Sequence, residues 1–263
     1  MLMPDDLVDT HCHLTFKDLA VQQDRVVADA LAAGVSRMIT VVCRGDDIGL
    51  ALALRKRHPC VWVSAGIHPH EAQLASREEI DRLAASWRGP GVVACGEMGL
   101  DYHYDFSPRD VQQTVFDRQL ELAADTQLPV VIHCRQAHSD TVRILTKHGY
   151  VGKNVVFHCF SGTPDEAAEL RANGWWTSFS GILTFKNATD PQQVVADAPI
   201  DQLLFETDAP YLSPEPVRRM RPNEPQNVAH TIRFAAMLRG QTFESVAAAG
   251  TANAIRFFKL DQQ

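Results

Sequence analysis

The chain is predicted to be an α/β protein, a single (β/α)8 TIM barrel, and three observations point there. Eight short β-rich runs alternate with amphipathic stretches of helical period along all 263 residues. No linker, repeat or low-complexity tract interrupts them. The polar residues able to do chemistry fall at the C-terminal ends of those runs, where a closed barrel gathers them around one axis. An open doubly wound sheet has the same alternation. It spreads its edge strands apart at about 4.8 Å per neighbour, however, and favours a phosphate-binding glycine fingerprint after the first strand. Here that strand ends in His11-Cys12-His13, so one unit over residues 1–263 is expected.

The first strand is predicted over Leu7–His13, and an amphipathic helix over Asp24–Ala33 follows, stopped by Gly34. Arg37–Val42 and Val61–Gly66 are the second and third strands. Ser76 with Glu79 reads as a capping box opening a helix over Arg77–Trp87. Val92–Glu97 is the fourth strand, and Ser107-Pro108 supplies a cap and first-turn proline for a helix over Arg109–Asp125. Val130–His133 and Val155–His158 come next. Thr163-Pro164 opens the helix Pro164–Ala172, and Gly174 ends it. Trp175–Ser180 and Leu203–Glu206 complete the set. Several of these runs are dominated by Val, Ile and aromatic residues, as parallel strands buried on both faces require.

Composition narrows the function. The chain is 45% hydrophobic with no apolar run near the roughly 20 residues that cross a bilayer, so a soluble protein is expected. The opening residues carry no basic, apolar and cleavage-site pattern of a secretory leader. Six cysteines without a Cys-x-x-Cys pair predict reduced thiols in the cytoplasm, and argue against a disulfide framework or a zinc ribbon. A net charge of −7 removes any global basic footprint for nucleic acid, leaving local cations or metals to hold a polyanion.

Residues two apart on a strand share a face, so His11 and His13 point the same way, with Asp9 one step deeper and Cys12 opposite. Such a pair alone is more often structural than metal-binding. The other strand ends reverse those odds. Glu97 closes an apolar run and is expected to bridge two metals. His133 and His158 each follow an apolar run and precede a cysteine, and Asp208 adds a ligand that can accept a proton from water. One cation fits His11, His13, Glu97 and Asp208, and a second fits Glu97, His133 and His158. Two divalent metals about 4 Å apart activate water and neutralise charge on both oxygens of a phosphodiester displacement. They would equally polarise an ester or amide carbonyl, which is the competing reading. Mixed imidazole and carboxylate donors suit Zn²⁺ or Mn²⁺, and labile Mg²⁺ is compatible. Cys12, Cys134 and Cys159 are expected to face the helices as packing residues. His58 and His148 sit at helix ends, His230 in a helix, and His103 and His138 beside loops or helix starts.

On seven motifs, in order and spacing, the chain resembles the TatD family of metal-dependent deoxyribonucleases over nearly its whole length. They are Asp9-Thr-His-Cys-His13, Ala65-Gly-Ile-His-Pro-His70, Gly96-Glu-Met-Gly-Leu-Asp101, Val131-Ile-His-Cys-Arg135, Phe157-His-Cys-Phe-Ser-Gly162, Leu204-Phe-Glu-Thr-Asp-Ala-Pro-Tyr211 and Arg221-Pro-Asn-Glu-Pro225. The resemblance implies a TIM barrel, two divalent metals on the six ligands, and 3′ to 5′ exonuclease action on single-stranded DNA. A monomer is expected to suffice. The likeness also implies that His68 contacts a substrate phosphate, a loop-stabilising role being the other reading. Arg135 is a second substrate contact or else the partner of an ion pair with a helix. Arg218, Arg219 and Arg221 are candidates for phosphate contact. Tyr102, Tyr104 and Phe106 either stack on bases, at about 1–3 kcal/mol each, or pack over the barrel mouth. The rival to the nuclease is a carbonyl hydrolase such as an aminoacyl-tRNA deacylase. A barrel that binds without catalysis is disfavoured because all six ligands are present.

Overall fold

The computed structural model describes residues 6–260; the leader reading rests mainly on residues 1–5, which lie outside them, as do the last three residues of the expected unit. One sheet holds eight strands in sequence order, each parallel to the next: β1 Leu7–Cys12, β2 Val35–Val42, β3 Val61–Ala65, β4 Val92–Asp101, β5 Val130–Arg135, β6 Val155–Phe157, β7 Trp176–Phe179 and β8 Leu203–Phe205. The ring closes between its first and last strands. Cys12 bridges Ala209, His13 N donates to Ala209 O at 2.7 Å, and Asp208 N donates to His11 O at 2.9 Å. The predicted barrel is the observed architecture. Among the described residues no helix is long and apolar enough to cross a membrane.

Two packed regions flank the sheet. Leu7, Cys12, Met98, Leu100 and Ile132 pack outward against helix residues such as Phe116 and Leu120. Inside, Val8, Ile39, Val93, Val131, Val156 and Leu204 surround Phe257 and Phe258 from the final helix Phe243–Phe258. Burying each of those rings is worth roughly 1.5–3 kcal/mol, and together they make the barrel floor dry. The polar inward residues are thereby confined to the opposite, C-terminal mouth.

Strict alternation fails in β1. Leu7 and Cys12 both face the helices although an odd number of steps separates them, because the register shifts between Asp9 and Cys12. Asp9 is committed to the β1–β8 seam, where its carboxylate accepts from Thr207 N at 2.9 Å and Thr207 Oγ1 at 2.6 Å.

The fourth strand is longer than predicted. It continues past Glu97 to Asp101, pairing Gly99 with His133 and Asp101 with Arg135. A Cβ at Gly99, whose φ is 142°, would stand 2.0 Å from His133 O, so only glycine admits this approach. With Met98 and Leu100 outward, Glu97, Gly99 and Asp101 share the inner face.

The helix signals divide. Thr163 and Glu166 form the complete capping box, and Gly34 and Gly174 are left-handed at φ 86° and 78°. At Ser76 only half the box forms, since Glu79 Oε1 accepts from Gly45 N instead. Ser107 does not cap. Its hydroxyl donates to His70 O and accepts from Gln73 N, tying together the loops after β3 and β4.

Candidate metal centre

All six predicted ligands meet at the mouth, arranged around Glu97, whose side chain is 2% exposed. Its Oε1 lies 2.6 Å from His158 Nε2 and 2.8 Å from His133 Nδ1. Its Oε2 lies 3.4 Å from His11 Nε2. Asp208 Oδ1 then stands 3.3 Å from His13 Nε2 and 3.9 Å from His11 Nε2. The two carboxylate oxygens of Glu97 thus face two different sets of donors. Asp208 reaches its place through a left-handed backbone, φ 53°, held by the bond from its N–H to His11 O.

Behind these donors stand groups that fix which nitrogen points inward. His158 Nδ1 is 3.1 Å from Glu206 Oε1, His133 Nε2 is 3.0 Å from Asp101 Oδ2, and His13 Nδ1 is 3.3 Å from Val41 O. Each leaves the other ring nitrogen facing the centre, as metal-binding histidines require. His11 supplies the test of fit. It is 1% exposed, yet neither ring nitrogen has a hydrogen-bond partner among the described residues. Leaving a buried nitrogen unpaired costs about 1–3 kcal/mol, and a cation between Glu97, His11 and Asp208 would satisfy the Nε2 that faces them. The donor set of imidazoles and carboxylates therefore suits divalent cations.

Charge is balanced by protons in the metal-free cluster. Burial opposes ionisation of Glu97, but the charges of His158 and His68 and the polar contacts from His11 and His133 together outweigh it and hold the carboxyl well below its ordinary range. Burial likewise opposes protonation of His158, and Glu97 with Glu206 holds it well above the usual imidazole range. Asp208 is lowered against burial by its bond to His13. A cation entering this cluster must displace a proton, so binding weakens in acid.

His68 lies inside the cluster, its Nε2 3.4 Å from Glu97 Oε1 and 3.3 Å from His133 Nδ1. Its Nδ1 accepts from His70 N at 3.0 Å, which leaves the neutral ring a donor at Nε2. The loop role and a donor role toward substrate are therefore compatible. Burial lowers its pKa to about 4, so the folded protein keeps it neutral where an unfolded histidine, near 6.5, takes up a proton. Its contribution to stability is full above pH 6.5 and is lost as pH falls toward 4. Unfolding of the metal-free protein in urea at pH 7 and 4.5 should show His68→Gln escaping up to about 3 kcal/mol of that acid loss. Identical pH dependence in both proteins would contradict it.

Arg135 shares the inner face with His133. Among the described residues it makes no ion pair, and its guanidinium lies 4.8 Å from the Tyr104 ring centre. That places it on a cleft of about 730 Å³ lined also by His158, His138, Asp140 and Phe160. Tyr104 and Phe106 are 47% and 58% exposed and stack on each other, whereas the Tyr102 hydroxyl is held by Asp140 and Gln113 and the residue lines the cleft. The arginine loop is engaged locally. Arg221 Nη1 donates to Ser213, Arg218 O and Met220 O, and Arg218 lies over Phe185.

The cysteine expectation holds for Cys12 and Cys134, which pack on the outer core, but not for Cys159. That residue is left-handed at φ 45°, and its Sγ meets the Ser180 hydroxyl at the end of β7. His58, His138 and His148 pair with Asp24, Glu169 and Asp117. Four residues given no role by sequence also line the centre: Asp101, Glu206, His70 and Cys43. Cys43 Sγ is 3.9 Å from Glu97 Oε2, and no local pattern announces it. Asp101 had a signal, since four steps along a continued strand repeat the face of Glu97.

Comparison with known proteins follows the same lines. Residues 8–259 match the family described as TatD related DNase. The chain is 38% identical over 255 residues to the metal-dependent hydrolase YabD of Bacillus subtilis, covering 97% of this chain and all of that one. It is 35% identical over 258 residues to the 3′-5′ ssDNA/RNA exonuclease TatD of Citrobacter koseri, covering 97% and 99%. Among solved structures, the TatD homologue YJJV of Escherichia coli superposes with a TM-score of 0.90 at 29% identity, covering 96% of this chain and 98% of that one.

Proposed function

The chain belongs to the TatD related DNase family of metal-dependent hydrolases, and from that we propose that it removes nucleotides from the 3′ end of single-stranded DNA, using two divalent cations. The observation that carries the reading is the division of Glu97 between two donor sets beside an open cleft. His11, His13, Glu97 and Asp208 would hold one cation and Glu97, His133 and His158 the other. Cations bound there supply Lewis-acid polarisation of a phosphoryl oxygen and water of lowered pKa.

The protein's own groups do the rest. Asp208, ionised and 14% exposed, accepts the proton of the attacking water on its carboxylate. His68 Nε2–H and Arg135 donate to phosphate oxygens, and the exposed Tyr104–Phe106 stack offers a face to a base. A strand end fits this arrangement because local cations, not an overall basic surface, hold the phosphate. Six free thiols support a reducing compartment such as the cytoplasm, and a site built from one chain supports a monomer as the working unit.

The test is a 5′-labelled single strand incubated with Mg²⁺, Mn²⁺ or Zn²⁺, alongside RNA, an aminoacylated tRNA and a small ester. Progressive shortening from the 3′ end with release of mononucleotides, abolished by EDTA, is expected. Ester or aminoacyl cleavage without DNA shortening would replace the reading with the carbonyl hydrolase.

A further inference from the structure

Asp101 is 0% exposed at the end of β4, and its carboxylate receives four hydrogen bonds. Oδ1 accepts from the backbone N–H groups of His103 and Tyr104, each at 2.9 Å. Oδ2 lies 2.9 Å from His70 Nε2 and 3.0 Å from His133 Nε2. The backbone donors cannot reverse, so they fix the orientation of the carboxylate, and no water is needed to complete it. His133 in turn presents Nδ1 to Glu97 Oε1 at 2.8 Å.

Resting on the two-cation reading above, we propose that Asp101 is a positioning residue that keeps the His133 proton on Nε2. The Nδ1 lone pair is thereby reserved for the cation shared with Glu97 and His158. An imidazole carrying its one proton on the outer nitrogen is a ligand at the inner one, and with the proton exchanged it is not. The same carboxylate holds the turn that carries Tyr104, against which Arg135 lies. Ligand tautomer and the substrate-side turn are therefore set by one group.

Asp101→Asn tests this because it keeps the shape and changes only the donors. The amide oxygen must face the His103 and Tyr104 N–H groups, which turns its NH2 toward His133 Nε2. That nitrogen then has to accept, and the proton moves to Nδ1. Calorimetric titration with Zn²⁺ should find two sites in the wild type. In the variant, the site with His133 should weaken 10–100-fold and the other change less than about threefold, with the thermal midpoint nearly unaltered. Long-range ¹H–¹⁵N spectra of the Zn²⁺-loaded wild type should place the His133 proton on Nε2, a readout independent of how the variant folds. A proton on Nδ1, unchanged affinity at both sites, or equal loss at both with a fall in thermal midpoint would each overturn the proposal. Fewer than two Zn²⁺ in the wild type would instead overturn the two-cation reading itself.

Discussion

Glu97→Gln should lose both cations and lower kcat/KM on single-stranded DNA at least about a thousandfold, because each bound cation contributes several kcal/mol and every 1.36 kcal/mol is tenfold. The geometry makes the effect double. Oε1 faces His133 and His158, while Oε2 faces His11, so an amide must turn its NH2 toward one of the two donor sets. It also removes the negative charge that offsets the surrounding imidazoles. Metal content by elemental analysis, read beside turnover, checks the claim. A variant retaining two cations with near-normal turnover would remove Glu97 from its bridging place.

The second large effect is expected at Asp208. Asp208→Asn should lower kcat by about 10²–10⁴ while KM changes less than about threefold, the pattern of a group that acts on the proton in the transition state. Asparagine tolerates the left-handed backbone at φ 53° and keeps an oxygen able to face His13, so the fold and much of the ligand shell survive. What it lacks is a second oxygen that can take up a proton. His13 holds the carboxyl of Asp208 below its ordinary range, so the acceptor is available throughout the neutral range. Steady-state kinetics over a substrate series decides it. A rise in KM alone, at constant kcat, would make Asp208 a binding group and leave the proton without an acceptor.

Why some of this was legible in sequence and some was not has a physical reason. A parallel strand buried on both faces leaves an apolar run, and a polar residue that ends such a run stands out. Glu97, His133 and His158 do so, and the barrel then brings them together with His11, His13 and Asp208 because all lie at or just past the same ends. The last four residues of β4 carried no such signal. Their inward positions are Gly99 and Asp101, which read as loop, and only the pairing with β5 makes them strand.

The carboxylates behind the histidines were hidden for a related cause. Which acid lies behind which imidazole depends on register between strands: Glu206 reaches His158 across two strand connections, and Asp101 reaches His133 from the neighbouring strand. The cationic and aromatic candidates show the converse. Arg221 and Tyr102 are the right residue types in the right loops, yet neighbouring acceptors and donors hold their polar ends, while Arg135 lines the cleft without an ion pair among the described residues and Tyr104 is exposed beneath it. Residue type nominates a site residue, and the local hydrogen-bond inventory decides whether it is free to serve.

Whether two cations share Glu97 is measured directly by anomalous diffraction from crystals grown with Mn²⁺. Two peaks about 4 Å apart are predicted, one against Glu97 Oε1 with His133 and His158, the other against Oε2 with His11, His13 and Asp208. A single peak, or a pair that does not share Glu97, would contradict it.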